Sequence, residues 1–127
     1  MDKLKCQHCG KDGLLPEIFY ANACLIIRLS KKFNNKVICE YISGYRCVVH
    51  DKTINPNGKN RTHTLGIAID SKYYYFLSNK KIYINRKEVM NEAKTMGIFG
   101  GIGIMMTVIY TLILLKDMRK TLCYCGK

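Results

Sequence analysis

TMGIFGGIGIMMTVIYTLILL, residues 95–115, carries no charged side chain over 21 positions, and its reading decides the fold. At about 1.5 Å per residue, a helix of that length reaches roughly 30 Å, the thickness of a bilayer's hydrocarbon core. A core helix of a small domain needs a polar face toward water. Beyond Thr95 at its start, the run offers only Thr107, Tyr110 and Thr111 for that purpose. Ten of its residues are Ile, Leu, Phe or Val, each worth roughly −0.3 to −0.6 kcal/mol at mid-membrane. Within residues 96–115 they must offset four glycines and two threonines. The stretch predicts one transmembrane helix over residues 96–115.

Along that helix Gly97 and Gly101 form a GxxxG pair, and Gly100, Gly103, Thr107 and Thr111 continue a stripe of small residues. Such a stripe admits a second helix at close range, so self-association through the membrane helix is expected. Basic residues flank both ends, namely Lys80, Lys81, Arg86, Lys87 and Lys94 before it and Lys116, Arg119, Lys120 and Lys127 after it. Charge asymmetry therefore does not orient the span. Only twelve residues follow, and no apolar leader opens the chain. Insertion after synthesis, with the N-terminal part in the cytosol, is the expected arrangement.

Upstream, residues 1–13 read as a CxxCG knuckle and residues 14–85 as a β-rich domain. Residues 86–95 read as a helical connector and residues 116–127 as a basic tail. ACLIIRL within residues 14–29 suits a buried strand or a short helix equally. KVICEYI and YRCVVHDKT, separated by Ser43-Gly44, predict a hairpin. HTLGIAID alternates, and KYYYFLS with IYIN predicts a second hairpin. There Tyr73, Tyr75 and Leu77 share a face that Ile82 and Ile84 can meet. Five or six strands in about 80 residues imply a mainly β fold, a small antiparallel barrel or curled sheet, followed by the membrane helix. Asn85 and Glu88 have capping-box spacing. With no proline after Pro56, one helix can run from Arg86 through the membrane. The competing reading is a hinge at the glycines.

Cys6 and Cys9 form a sound half-site for one structural zinc, because two intervening residues let both thiolates face one ion. Cys47 and His50, spaced CxxH, are the first candidates for the second pair. In a strand they point to opposite faces, so they serve only if the chain turns at Val48 and Val49. His8, Cys24 and Cys39 are weaker candidates by spacing. A spanning helix keeps Cys123 and Cys125 on the far side of the membrane from Cys6 and Cys9. Five cysteines in the N-terminal part, an odd number, favour reduced thiols, with Cys24, Cys39 and Cys47 as small buried residues. Cys39 and Cys47 cannot bond to each other in the predicted register. Cys123 and Cys125 could carry thioester lipids only in the reverse orientation, the same orientation in which the Asn60 sequon would matter.

The formal charge is +12, with 16 lysines against 5 arginines. Such a balance favours diffuse attraction to an anionic surface over base readout by arginine, and makes nucleic acid the less favoured partner. HExxH, GxSxG and a Walker loop are absent from the sequence, and His63 reads as a solvated strand residue. No catalytic residues are expected.

YYYFLSNKKIYIN, residues 73–85, resembles the hairpin of small bacterial pleckstrin-homology-like and GRAM-like domains. That resemblance implies a curled barrel closed by a C-terminal helix, with Lys80 and Lys81 at an exposed edge contacting anionic headgroups. The combined expectation is a non-catalytic, single-pass membrane-anchored binding module whose partner is anionic lipid or another protein. Two alternatives come from other classes. One is a structural subunit of a viral envelope or membrane complex with residues 1–95 outside; the other is a zinc-dependent nucleic-acid-binding or regulatory protein tethered to a membrane.

Overall fold

The computed structural model describes residues 2–57, 63–97, 99–104 and 110–114. Its elements run α1 (Pro16–Phe33), β1 (Ile38–Ser43), α2 (Val48–Ile54), β2 (Ala68–Leu77), β3 (Lys80–Tyr83), α3 (Arg86–Met96), β4 (Phe99–Ile104) and β5 (Tyr110–Leu114). β2 is the spine of a five-stranded antiparallel sheet ordered β1-β2-β5-β4. β1 lies along one edge of β2. The other edge is divided, with residues 68–71 pairing with β5 and residues 74–77 with β3.

α1 begins with Pro16 in its first turn, where a missing N–H is harmless. Ile18, Ala21, Leu25 and Leu29 are fully buried and recur at helical spacing, so they form its inward stripe. Burying each Ile or Leu contributes about 1.5 to 3 kcal/mol. They meet Val37, Ile69, Tyr73, Ile84, Val89 and Ala93 in one core. On the same side Phe33 stacks on Tyr75, with centroids 5.5 Å apart. α3 closes the core beside α1 through Val89 and Ala93, with Lys32–Glu88 (2.6 Å) and Arg28–Glu92 (3.6 Å) pairing across the seam.

The mainly β expectation with a membrane helix is overturned. The chain forms three helices beside the sheet strands, and among the described residues no helix is long and apolar enough to cross a membrane. α3 stops at Gly97, whose φ of 69° is the left-handed cap that ends a helix. The run predicted to span lipid instead supplies β4 and β5, paired from Phe99↔Leu114 to Ile104↔Tyr110. Four glycines weaken a helix by about 1 kcal/mol each, and the many β-branched residues favour strands. The helix-packing stripe dissolves accordingly. Gly97 is a cap, Gly100, Gly101 and Gly103 lie in β4, and Gly103 is the register partner of Thr111 in β5. Thr107, Asn60, Cys123, Cys125 and the tail lie outside the described residues.

The second hairpin is present: Tyr75 faces Ile82 across the ladder, and Ser78 and Asn79 both take positive φ at the turn, as a two-residue loop of this kind requires. The first hairpin is half right. β1 forms, but the chain after Gly44 enters α2 instead of a returning strand.

Candidate metal centre

The knuckle is built from its own backbone. Gly10, at φ 76°, turns its N–H onto the Cys6 carbonyl (2.8 Å), and the Cys6 N–H donates to the Lys11 carbonyl (2.9 Å). The knuckle is tied to the start of α2 because the Tyr45 N–H donates to the Leu4 carbonyl (2.9 Å). Gly44 lies beneath, where a Cβ would meet the Leu4 carbonyl oxygen at 2.8 Å. Gly66, at φ 74°, lies against the Gly13 carbonyl in the same region.

Cys47 is the N-cap of α2, and its Sγ accepts the His50 N–H at 3.4 Å. The chain therefore does turn at Val48 and Val49, both exposed, and the condition for using Cys47 is met. Cys6, Cys9 and Cys47 bring their sulfurs within 4.8 Å of one another. Thiolates sharing one tetrahedral zinc stand about 3.8 Å apart, so these three could bind a metal ion after a slight contraction. His8 Nδ1 lies 3.4 Å from Cys47 Sγ, and the His50 ring stacks parallel to His8 with centroids 6.2 Å apart. Spacing gave no reason to rank His8 highly; only the fold brings its ring beside Cys47.

The electrostatics favour one thiolate without a cation and more with one. Burial acts to raise the Cys6 thiol, but backbone N–H groups of Cys47, Cys9 and His8, with Cys9's side chain, outweigh it and bring the thiol down to about 6. The Cys47 N–H to Cys6 Sγ bond is 3.3 Å. At Cys47 the His50 N–H works downward, but burial and the sulfurs of Cys6 and Cys9 prevail and the thiol is raised. A divalent ion removes that mutual opposition and lets the remaining sulfurs ionise.

Cys39 and Cys47 are free, although the hairpin register from which their separation was argued does not form, because Cys47 caps α2. Cys24, expected as a reduced core thiol, is disulfide-bonded.

Directly after the thiol cluster lies a buried ionic network that the sequence did not announce. Arg46 bridges Asp51 (3.1 Å) and Asp70 (3.3 Å), and Asp70 also accepts from the Ser43 hydroxyl at 2.6 Å. His63, 8 % exposed instead of solvated, faces the Gly44 carbonyl with Nδ1 (2.7 Å) and Asp70 with Nε2 (3.4 Å). Each charged group is engaged by a neighbour, which is the condition for keeping charge in an interior. The network is a strut joining β1, β2, α2 and the residue 63 turn.

Lys80 and Lys81 lie at the exposed start of β3. Lys81 is not free: its ammonium lies over Tyr74 (4.3 Å) and Tyr83 (5.6 Å) and 3.9 Å from Glu40. The chain matches no protein-family model, no curated protein and no solved structure.

Proposed function

We propose that the chain is a non-catalytic binding module whose N-terminal region is fastened to its sheet domain by one structural zinc ion. Cys6, Cys9 and Cys47 supply three thiolates, and one of the two adjacent imidazoles, His8 or His50, closes the tetrahedron. The observation that carries this reading is the convergence of three sulfurs from two distant segments within 4.8 Å, one of them held by backbone N–H groups. Thiolates of this kind, with imidazole, are the donors that zinc selects. The ion would hold the knuckle against the first turn of α2, next to the Arg46–Asp70 strut.

The full chain is expected to purify with one zinc per molecule, and cobalt exchanged into it is expected to show thiolate-to-metal charge-transfer absorption. Cys6→Ser, Cys9→Ser and Cys47→Ser each lose the metal. Of His8→Ala and His50→Ala, the one that weakens zinc binding identifies the fourth donor. Chelation lowers the melting temperature by an amount on the order of 10 °C. Equal melting with and without zinc, together with no retained metal, would end the proposal.

A further inference from the structure

The sheet has a second face. Side chains alternate along a strand. The odd-numbered residues of β2, Ile69, Tyr73 and Tyr75, pack into the α1 core, so Lys72, Tyr74 and Phe76 point the other way. The register adds Tyr83 opposite Tyr74 and Lys81 opposite Phe76 from β3, and Glu40 opposite Lys72 from β1. Three aromatic rings thus lie side by side. Tyr74 meets Phe76 at 5.7 Å and Tyr83 at 5.6 Å between centroids. Phe76 is 50 % exposed, and the Lys81 side chain is 41 % exposed. Lysines stand over the rings, Lys81 above Tyr74 and Tyr83, and Lys72 5.3 Å from Tyr83. Glu40, the acid of this patch, is already engaged by the Tyr83 hydroxyl (3.1 Å) and by both lysines (3.9 Å each).

We propose that this face binds single-stranded nucleic acid, with bases stacking on Tyr74, Phe76 and Tyr83 and with Lys72 and Lys81 taking the phosphates. Aromatic rings set on a sheet among cations are what unpaired bases need: each base has a π-face, and each nucleotide carries one negative phosphate. Exposed cation–π contacts are weak, so a phosphate can draw Lys81 aside and leave the Tyr74 ring to a base. Charge complementarity points the same way, since the chain carries a formal charge of +12. Its 16 lysines against 5 arginines speak against base-edge readout, so recognition here would come from stacking on the rings and sequence-tolerant attraction to the backbone. A lipid headgroup would use the lysines but has no ring to stack. The proposal extends the binding-module reading, and it shares no residue with the metal cluster, so the two can fail separately.

The test uses the full chain and a labelled mixed-sequence DNA strand of about 12 nucleotides, followed by fluorescence anisotropy. The chain has no tryptophan and nine tyrosines, so quenching of tyrosine emission reports stacking directly. The expected result is saturable binding with tyrosine quenching, tighter for the single strand than for a duplex of equal length. Phe76→Ala and Tyr74→Leu each weaken it roughly tenfold to a hundredfold. Lys72→Gln and Lys81→Gln each reduce the salt-dependence slope by about 0.7. Circular dichroism of each variant verifies folding, and Phe76→Ala, at an exposed position, is the one whose fold is least at risk. The proposal is overturned if the strand does not bind, if Phe76→Ala and Tyr74→Leu bind as the parent does, or if a duplex binds equally well. Capture by anionic phosphatidylserine vesicles without strand binding overturns it too, in favour of a membrane surface.

Discussion

Asn22 is a polar residue on the buried face of a helix, 1 % exposed. Its amide nitrogen donates to the Tyr41 hydroxyl (3.1 Å) and toward Cys39 Sγ (3.5 Å), while its oxygen accepts from the Tyr73 hydroxyl (2.6 Å). Ser71 completes the set by donating to the Tyr73 hydroxyl at 3.0 Å. The interior tolerates two tyrosine hydroxyls at this place because one side chain offers both a donor and an acceptor. Asn22→Ala removes both at once and is expected to cost about 2 to 3 kcal/mol, read as a lower urea midpoint at unchanged slope. An unchanged midpoint would show that the hydroxyls find other partners without loss.

At the scale of elements, α3 shows how a helix can be bounded by two residues. The Asn85 side chain accepts the Glu88 N–H at 3.0 Å, the start that the capping-box spacing announced. Gly97 ends it in a left-handed conformation that a residue with a Cβ adopts at a penalty. Gly97→Ala is expected to cost about 1 kcal/mol, a few degrees of melting temperature, with Gly97→Asn costing less. Among the described residues no atom beyond the chain neighbours lies within 4 Å of the added Cβ, so the loss would come from backbone conformation. Signals confined to a few adjacent residues were legible in this way: the Asn85 cap, the β2–β3 hairpin with its facing Tyr75 and Ile82, and the CxxCG knuckle. α1 was obscured because exposed Phe19, Tyr20 and Ile27 blur its buried stripe. α2 was missed because two adjacent valines argue for a strand, whereas the Cys47 cap and tertiary contacts fix a helix. Residues 95–115 misled for a related reason, since an apolar run without polar interruptions has no period with which to distinguish a helix from a pair of strands. In the thiol cluster Cys6 and Cys9 were readable, and Cys47 conditionally so. The proximity of His8 to Cys47 was not, because it depends on two segments 39 positions apart being brought together.

At the scale of the whole molecule, three acidic hydrogens, those of Cys39, Tyr41 and Tyr73, are drawn together around Asn22. Burial pushes the Cys39 thiol above its ordinary 9.0 despite the Asn22 bond. Burial, then the neighbouring Cys39, raises Tyr41 above 10.0, and burial raises Tyr73 well above the same value. In each case the folded state holds its proton more tightly than the unfolded chain does. The stability they contribute is complete below the unfolded values, and is lost as pH rises through the higher folded ones. Urea midpoints are therefore expected to be insensitive to these three groups from neutrality to about pH 9, then to fall, and to fall more steeply above about pH 10, where both tyrosines join Cys39. Other groups also titrate there; Lys32, raised by its bond to Glu88, loses stability in the same direction. The difference between the parent and Cys39→Ala cancels such groups, Cys47 among them because its thiol is also raised, and that difference should begin to fall near pH 9. Tyrosinate absorbance supplies the second readout. Tyr73, fully buried and raised well above its ordinary value, can ionise only when the core opens, so the last increment of absorbance should coincide with loss of circular dichroism. If all nine tyrosines ionise in one smooth step while the fold persists, then Tyr73 is reached by water and the dry core between α1 and β2 is not as described.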